Sequence, residues 1–365
     1  MRRALQLAAR GRGMTSPNPC VGAVLVRDGR VIGEGWHRRA GGPHAEVHAL
    51  LDAERRGEDP VGATIYVTLE PCSTTGRTPP CTEALLRADL GRAVVAAVDP
   101  NPRHGGRGLK RLRRMGMDVT EGVLRAAAER LNEGFNHWIV TGRPFVTVKA
   151  AMTLDGRIAT AEGESKWITG PEAGRIAMRL RRGADAILVG INTVLMDDPS
   201  LTCRDSRQGG RVIRRLRRVV VDTRARTPLS SRVVSDEFAS DTLVVVGENA
   251  AKVRVERLRR RVAVWSAPLR QGRVDLAWLL DRLGELEVTQ LLVEGGGEVN
   301  GGFIDAGLAQ RVAFFYAPKI LGGVDAPRGV GGAGFESLST MPEIVDPVWR
   351  RCGEDLFLTG LIAVR

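Results

Sequence analysis

Aromatic residues make up only 4% of this 365-residue chain, and just two of them are tyrosines. Readers of single-stranded nucleic acid stack bases on aromatic side chains, so this scarcity argues against such a role in spite of a net charge of +12. Cysteine is scarce as well. Five in so long a chain do not build a disulfide framework, and a reducing, cytoplasmic setting is the expectation. Long apolar runs are missing: no stretch approaches a membrane span. The short amphipathic segment after Met1-Arg2-Arg3 lacks the apolar run of a secretory signal. Internal repeats and low-complexity tracts are absent.

What is present suffices for two ordinary domains. Hydrophobic residues account for 43% of the chain, enough for each half to bury a core. The positive excess is almost all arginine and is evenly spread, at 21 basic against 15 acidic residues in 1–142 and 33 against 27 in 143–365. Small clusters lie at 111–114, 214–218 and 257–261. They read as a solvated surface, with attraction of phosphorylated substrates as the functional alternative.

Strand and helix patterns alternate in both halves. In the first, the periodicity predicts helices over 2–10, 45–56, 81–90, 108–115 and 121–132. Strands are expected over 21–26, 31–35, 64–67, 92–97 and 118–120, with a hairpin turn at Arg27-Asp28-Gly29-Arg30. A break falls at Thr141-Gly142-Arg143-Pro144, because the residue before a proline avoids helical geometry. The expected domains are therefore 1–142 and 143–365. The second half predicts strands over 145–151, 186–189, 218–221, 243–246, 290–293 and 311–317, and helices over 171–182, 275–283 and 298–306. Both halves read as layered α/β.

The chemistry is concentrated in His44-Ala45-Glu46, followed by Pro71-Cys72 and Cys81. These supply three zinc ligands and one carboxylate that is not a ligand, the parts needed to activate water and move its proton. His-x-Glu ahead of Pro-Cys…Cys marks zinc-dependent base deaminases. Cys81 opens a helical pattern, where the helix dipole favours the thiolate that zinc requires. Three ligands leave the fourth position open. A closed structural site is the alternative, with His48 as a fourth ligand, but it leaves Glu46 without a role. The other thiols, Cys20, Cys203 and Cys352, read as ordinary core or surface residues.

The spacing departs from the commonest deaminase motif: eight residues separate the cysteines where two are usual. The run from Pro71 to Cys81, Pro-Cys-Ser-Thr-Thr-Gly-Arg-Thr-Pro-Pro-Cys, resembles the zinc loop of the bacterial bifunctional riboflavin-biosynthesis deaminase/reductase family. So do the segment from Thr15 to Val24 and the segments Asp99-Pro100-Asn101-Pro102 and Gly106-Arg107-Gly108. One departure is Thr74, where that family usually carries histidine. In the second half, Leu292-Val293-Glu294-Gly295-Gly296-Gly297-Glu298 leads from a strand into a helix. Such a turn suits either a phosphate or a tight structural corner. The segments 149–157, 163–169 and 194–202 are similar to successive motifs of the family's reductase. Only 230–273 resembles nothing assignable.

The resemblance implies a cytidine-deaminase-like three-layer α/β domain followed by a dihydrofolate-reductase-like α/β domain. It implies one Zn2+ per chain, and NADPH as the second cofactor. Ala151, Trp167, Thr193, Asp197 and Thr223 would contact the nicotinamide cofactor, and Gly296, Gly297, Glu298, Val299, Asn300, Gly301 and Gly302 would cradle its phosphates. Ser165, Arg181, Leu201, Arg204 and Glu294 would face the substrate, with Lys149 near the ribose. The expected partner is a phosphorylated pyrimidine, with no nucleic acid and no membrane, in a homo-oligomeric enzyme. Nucleic-acid base deamination and a scaffold that has lost one activity are the rival readings.

Overall fold

Asp28 and Gly29 set the first corner. Both adopt positive φ, 52° and 74°, as a tight hairpin turn of this twist demands. They join strand β1 (Gly22–Arg27) to β2 (Arg30–Trp36), with Arg27 opposite Arg30. The chain is described by a computed structural model over residues 1–74, 79–166, 168–205 and 209–363. It divides into two compact units, Met1–Arg143 and Pro144–Arg365.

The first unit is built on a five-stranded sheet ordered β2-β1-β3-β4-β5, with β3 (Thr64–Leu69), β4 (Arg92–Ala97) and β5 (Asp118–Glu121) completing it. β1 runs antiparallel to β2 and β3, whereas β3, β4 and β5 are parallel. Helix α1 (Arg2–Ala8) packs Ala4 and Leu7 against Val24 on one face. On the other face Leu25, Ile32, Ile65 and Val95 meet α2 (Ala45–Arg55), α3 (Cys81–Arg87) and α4 (Arg107–Arg114) through Ala49, Leu85 and Leu109. This is the three-layer arrangement.

Helix α2 sits unusually close to β2 because two glycines permit it. A Cβ on Gly33 would lie 2.3 Å from the Ala49 carbonyl oxygen, and one on Gly35 would lie 2.3 Å from that of Ala45. The pairings Gly22 with Trp36, Ala23 with Val67 and Leu69 with Ala97 bring the ends of β2, β3 and β4 to one end of the sheet. The loops that leave this end carry the zinc motif.

The helix expected over 121–132 is α5 (Arg125–Leu131), and a further helix not expected from the sequence, α6 (Glu133–Thr141), follows it. The junction residue Asn132 leaves helical geometry. Its side chain clamps Cys20 instead, accepting from the backbone N at 2.7 Å and donating to the carbonyl at 2.9 Å.

The second unit holds β6 (Phe145–Thr153), α7 (Pro171–Gly183), β7 (Ala186–Gly190) and α8 (Ile191–Asp197). A short ribbon of β8 (Cys203–Asp205) and β9 (Arg211–Arg214) precedes β10 (Arg217–Val221), α9 (Arg232–Ser235), β11 (Thr242–Gly247) and α10 (Lys252–Arg259). Next come β12 (Ala263–Ala267), the ribbon of β13 (Leu269–Arg270) and β14 (Arg273–Val274), α11 (Leu276–Glu285) and β15 (Gln290–Val293). The unit ends with α12 (Gly297–Asp305), β16 (Arg311–Ala317), β17 (Glu343–Cys352) and β18 (Asp355–Ala363).

Nine of these strands form one sheet, ordered β12-β11-β10-β7-β15-β6-β16-β18-β17. It is parallel from β12 to β16 and closes with an antiparallel hairpin. Its central strands are apolar on both faces, as a covered parallel sheet requires. Leu188, Val219 and Val245 face α11 and α12 through Leu279, Leu283 and Phe303. Val189, Val220 and Val246 face α8 and α10 through Val194, Val255 and Leu258. Strands β12, β17 and β18 and helix α10 were not expected from the sequence. Asp275 caps α11 by accepting from the backbone N of Ala277 and Trp278.

Candidate catalytic sites

Three different loops deliver the zinc motif. His44 is the extended residue just before α2, at φ −77° and ψ 170°. Cys72 follows β3 through Glu70-Pro71. Cys81 opens α3 behind Pro80, and its backbone N donates to the Cys72 sulfur at 3.3 Å. His44 Nδ1 lies 3.2 Å from Cys81 Sγ and 3.6 Å from Cys72 Sγ, and all three donor atoms fall within 4.8 Å of one another.

This geometry fits zinc. Zn–N and Zn–S bonds of roughly 2.0 and 2.3 Å at tetrahedral angles give ligand-to-ligand edges of roughly 3.5–3.8 Å. Among the described residues no other group of three or more His, Cys, Asp or Glu gathers in this way, and His48 is not part of the group.

Without a metal the three donors hold their protons between them. The hydrogen bond from Cys81 holds the Cys72 thiol well below its ordinary range, to about 4, with His44 assisting against burial. The Cys81 thiol is pushed up, because the pair gives up its second proton next to an anion already formed. Cys72 also raises the pKa of the His44 imidazole. Loading the site therefore releases protons. Beside it, Glu46 is buried at 3% exposure, and burial pushes its carboxyl up to about 7 in spite of His44. A carboxyl poised there can both take and return a proton at neutral pH.

Two neighbours were not singled out from the sequence. The Asn18 amide donates to His37 Nε2 at 3.1 Å, and His37 Nδ1–H donates to the Pro43 carbonyl at 3.0 Å. That pattern fixes a neutral tautomer, and burial lowers the His37 pKa to keep it so. Its ring meets the His44 ring edge-on, centroids 5.3 Å apart. Glu70, buried two residues before Cys72, accepts from the backbone N of Asp99, Gly106, Gly108 and Leu109. The only sequence signal for either was proximity to a motif. Thr74 is exposed beside the zinc loop.

In the second unit, Arg181 on α7 does not stand free for a phosphate. It donates to both carboxylate oxygens of Glu294 at 2.8 and 2.9 Å, and to the Thr202 carbonyl at 2.9 Å. Lys149 Nζ lies 3.7 Å from the same carboxylate. Burial alone would raise the Glu294 pKa, but these two cations outweigh it and hold the group at about 2. Ser165 donates to Asp197 at 2.5 Å, which joins an expected substrate residue to an expected cofactor residue. Arg204 turns back on its own loop, donating to the Thr202 and Ser200 hydroxyls. Leu201 buries its side chain among Val189, Val194 and Val220.

The glycine turn is only partly open. Cβ atoms on Gly297 and Gly301 would lie 2.2 Å from the Arg328 oxygen and 1.9 Å from the Gly331 oxygen, and Asn300 donates to the Gly329 carbonyl. These residues hold the 328–332 loop. Glu298 pairs with Arg273, and Val299 packs over Gly190 and Gly295. Gly296 faces the Thr193 hydroxyl, 3.9 Å from where its Cβ would stand, and Gly302 faces Leu276. Ala151 lies on β6, and the Thr223 carbonyl accepts from Gly247 N. Trp167 lies outside the described residues.

Comparison with known proteins gives this geometry its context. Residues 144–358 match the RibD C-terminal domain family, and residues 1–97 match the cytidine and deoxycytidylate deaminase zinc-binding region. The chain is 42% identical to the riboflavin biosynthesis protein RibD of Escherichia coli, with 98% of this chain and 97% of the relative covered. It is 41% identical to that of Aquifex aeolicus, with 98% and 96% covered. Among solved structures, RibD of Acinetobacter baumannii superposes with a TM-score of 0.85 at 35% identity, covering 100% of this chain and 98% of the other. A diaminohydroxyphosphoribosylaminopyrimidine deaminase/5-amino-6-(5-phosphoribosylamino)uracil reductase from Thermotoga maritima gives 0.83 at 36%, covering 100% and 97%. With a zinc-deaminase unit and a reductase unit joined in one polypeptide, this chain belongs to the bifunctional deaminase/reductase family of riboflavin biosynthesis.

Proposed function

We propose that the two units, assigned as domains 1–142 and 143–365, act in succession on one phosphorylated pyrimidine. The first replaces the C2 amine of 2,5-diamino-6-(5-phosphoribosylamino)pyrimidin-4(3H)-one. The second reduces the ribosyl group of the resulting 5-amino-6-(5-phosphoribosylamino)uracil to ribityl. The observation that carries this reading is the convergence of His44, Cys72 and Cys81 beside the buried carboxyl of Glu46.

His44, Cys72 and Cys81 would hold a zinc ion, which would supply the acidification of a water molecule toward neutrality. Glu46 takes the water proton, passes it to the ring nitrogen and assists the departure of ammonia. His37, held neutral by Asn18 and Pro43, offers a fixed polar edge next to His44. NADPH supplies the hydride of the second reaction. Gly296 and the first backbone N–H groups of α12 would hold its phosphates, and Ala151, Thr193 and Thr223 would contact the rest of the cofactor. Asp197 and Ser165 hold one another between cofactor and sugar. Glu294, fixed by Arg181 and Lys149, stays ionised at neutral pH and orients the sugar hydroxyls.

Only five cysteines in so long a chain suits a reducing cytoplasm. No helix among the described residues is long and apolar enough to cross a membrane. A homo-oligomer is supported by the outer hairpin of the second sheet, which leaves Trp349, Val345, Val348 and Leu356 exposed. The decisive experiment combines metal analysis with a two-step assay that follows ammonia and NADPH separately. Glu46→Ala is expected to keep one zinc per chain, to release no ammonia, and to oxidise NADPH normally with the deaminated intermediate. Full ammonia release by that variant would end this reading.

A further inference from the structure

Glu70 is a buried carboxylate at 7% exposure for which none of the steps above has a use. It stands at the end of β3, two residues before the zinc ligand Cys72. Among the described residues no arginine or lysine forms an ion pair with it. Its oxygens instead accept backbone N–H groups from the loop after β4 and the first turn of α4: Asp99 at 3.1 Å and Gly106 at 2.8 Å on Oε2, Gly108 at 2.8 Å and Leu109 at 3.3 Å on Oε1. A carboxyl group accepting four amide donors in a dry setting is a strong and directional clamp.

The loop is shaped for it. Gly106 takes φ +77°, and a Cβ on Gly105 would lie 2.7 Å from the Asp99 carbonyl oxygen. A Cβ on Gly108 would lie 2.1 Å from the Pro71 carbonyl oxygen and 3.1 Å from Glu70 Oε1. The start of α4 is thus pressed onto the Pro71–Cys72 peptide. The same loop carries Asp99 and Asn101, joined by an N–H···Oδ1 bond of 2.9 Å, at the sheet end where His44, Cys72 and Cys81 gather.

We propose that Glu70 is a positioning residue for the deamination. It locks the 99–109 loop to the zinc-bearing segment, so that the wall holding the pyrimidine and the metal ligands move as one body. This rests on the reading of the first unit as the deaminase. Glu70 touches neither substrate nor metal. It acts through Asp99, Asn101 and the Pro71–Cys72 peptide. Loosening the clamp displaces the wall and leaves the ligand set and Glu46 in place, so substrate binding suffers before chemistry does.

The test uses the full-length protein and the variant Glu70→Gln, which keeps the shape but turns an N–H donor toward N–H donors. Wild-type ammonia release first checks the deaminase reading itself. The variant is then expected to retain one zinc per chain, to raise KM for the pyrimidine about tenfold, and to change kcat less than threefold. NADPH oxidation with the deaminated intermediate should be unchanged. Amide exchange at Gly106, Gly108 and Leu109 should accelerate. Loss of zinc, or a fall in kcat at unchanged KM, would overturn the proposal, and so would wild-type kinetics. Should Glu70→Gln fail to fold, Glu70→Asp decides the matter: it keeps the charge with a shorter reach, so zinc should stay full and KM should rise, and an unchanged KM counts against the clamp.

Discussion

A single methyl group on Gly35 should weaken the protein's hold on zinc. In Gly35→Ala the new Cβ would stand 2.3 Å from the Ala45 carbonyl oxygen, 2.4 Å from Ala49 N and 2.7 Å from His48 Cβ. Ordinary contact begins near 3.4 Å, so the first turns of α2 must retreat by about 1 Å. His44 rides at the start of that helix, but Cys72 and Cys81 do not. The retreat therefore stretches the two His–Cys separations, now 3.2 and 3.6 Å, beyond what bonds of zinc length span comfortably. Overpacking of this kind costs about 1–3 kcal/mol. Expressed at the metal, that is a loss of roughly 5- to 150-fold in zinc affinity.

Chelator competition and zinc per chain measure the loss, ammonia release should fall with it, and NADPH oxidation by the second unit is the internal control. Gly29→Ala is the comparison. Gly29 has φ +74° and nothing within 4 Å of its would-be Cβ, so that variant should lose only about 1–2 kcal/mol of stability and no zinc. The reasoning is refuted if Gly35→Ala binds zinc and releases ammonia as the wild type does, or if Gly29→Ala loses zinc to the same degree.

Other perturbations separate the two units. Arg181→Ala leaves the Glu294 carboxylate, 8% exposed, with only Lys149 at 3.7 Å, and should destabilise the second unit by about 3–5 kcal/mol in denaturant titration while ammonia release persists. Because the folded Glu294 sits at about 2 against an ordinary 4.5, its contribution is complete above about pH 4.5 and is lost as pH falls toward 2. It amounts to about 3 kcal/mol, so acid unfolding of the second unit should begin at lower stability but flatten in Glu294→Gln over that window. Gly301→Ala drives a Cβ to within 1.9 Å of the Gly331 oxygen and should raise KM for NADPH with the deaminase step unaffected.

How far the fold could be read from the sequence follows from how local its causes are. The β1–β2 hairpin was legible because Asp28-Gly29 decides it alone. The central strands of the second sheet were legible as short apolar runs. Strand β17 was not: it reads Glu-Ile-Val-Asp-Pro-Val-Trp-Arg-Arg-Cys, mostly exposed, with Pro347 inside it. Proline is tolerated there because β17 is the edge strand and its register shifts between Val345 and Val348. Helix α6 was not expected: nothing local to Asn132 says that its amide will serve Cys20, 112 residues earlier in the chain, and that a second helix starts there.

The sites divide along the same line. His44, Glu46, Cys72 and Cys81 are legible because each residue type has a chemical duty that few alternatives satisfy. Arginine has many. Arg214, Arg215 and Arg218, which read as a charged surface cluster, each close on a different acid: Asp185 at 2.9 Å, and Asp241 and Asp236 at 2.7 Å. Arg218 is fully buried, where an unpaired guanidinium would be prohibitive. Arg181 likewise finds Glu294 across 113 residues of sequence, and Glu70 finds its donors 29 to 39 residues later. A charge gives its sign in the sequence and its partner only in the fold. The residues that gather at the zinc motif could therefore be named in advance, whereas the partners that fix their surroundings had to be seen.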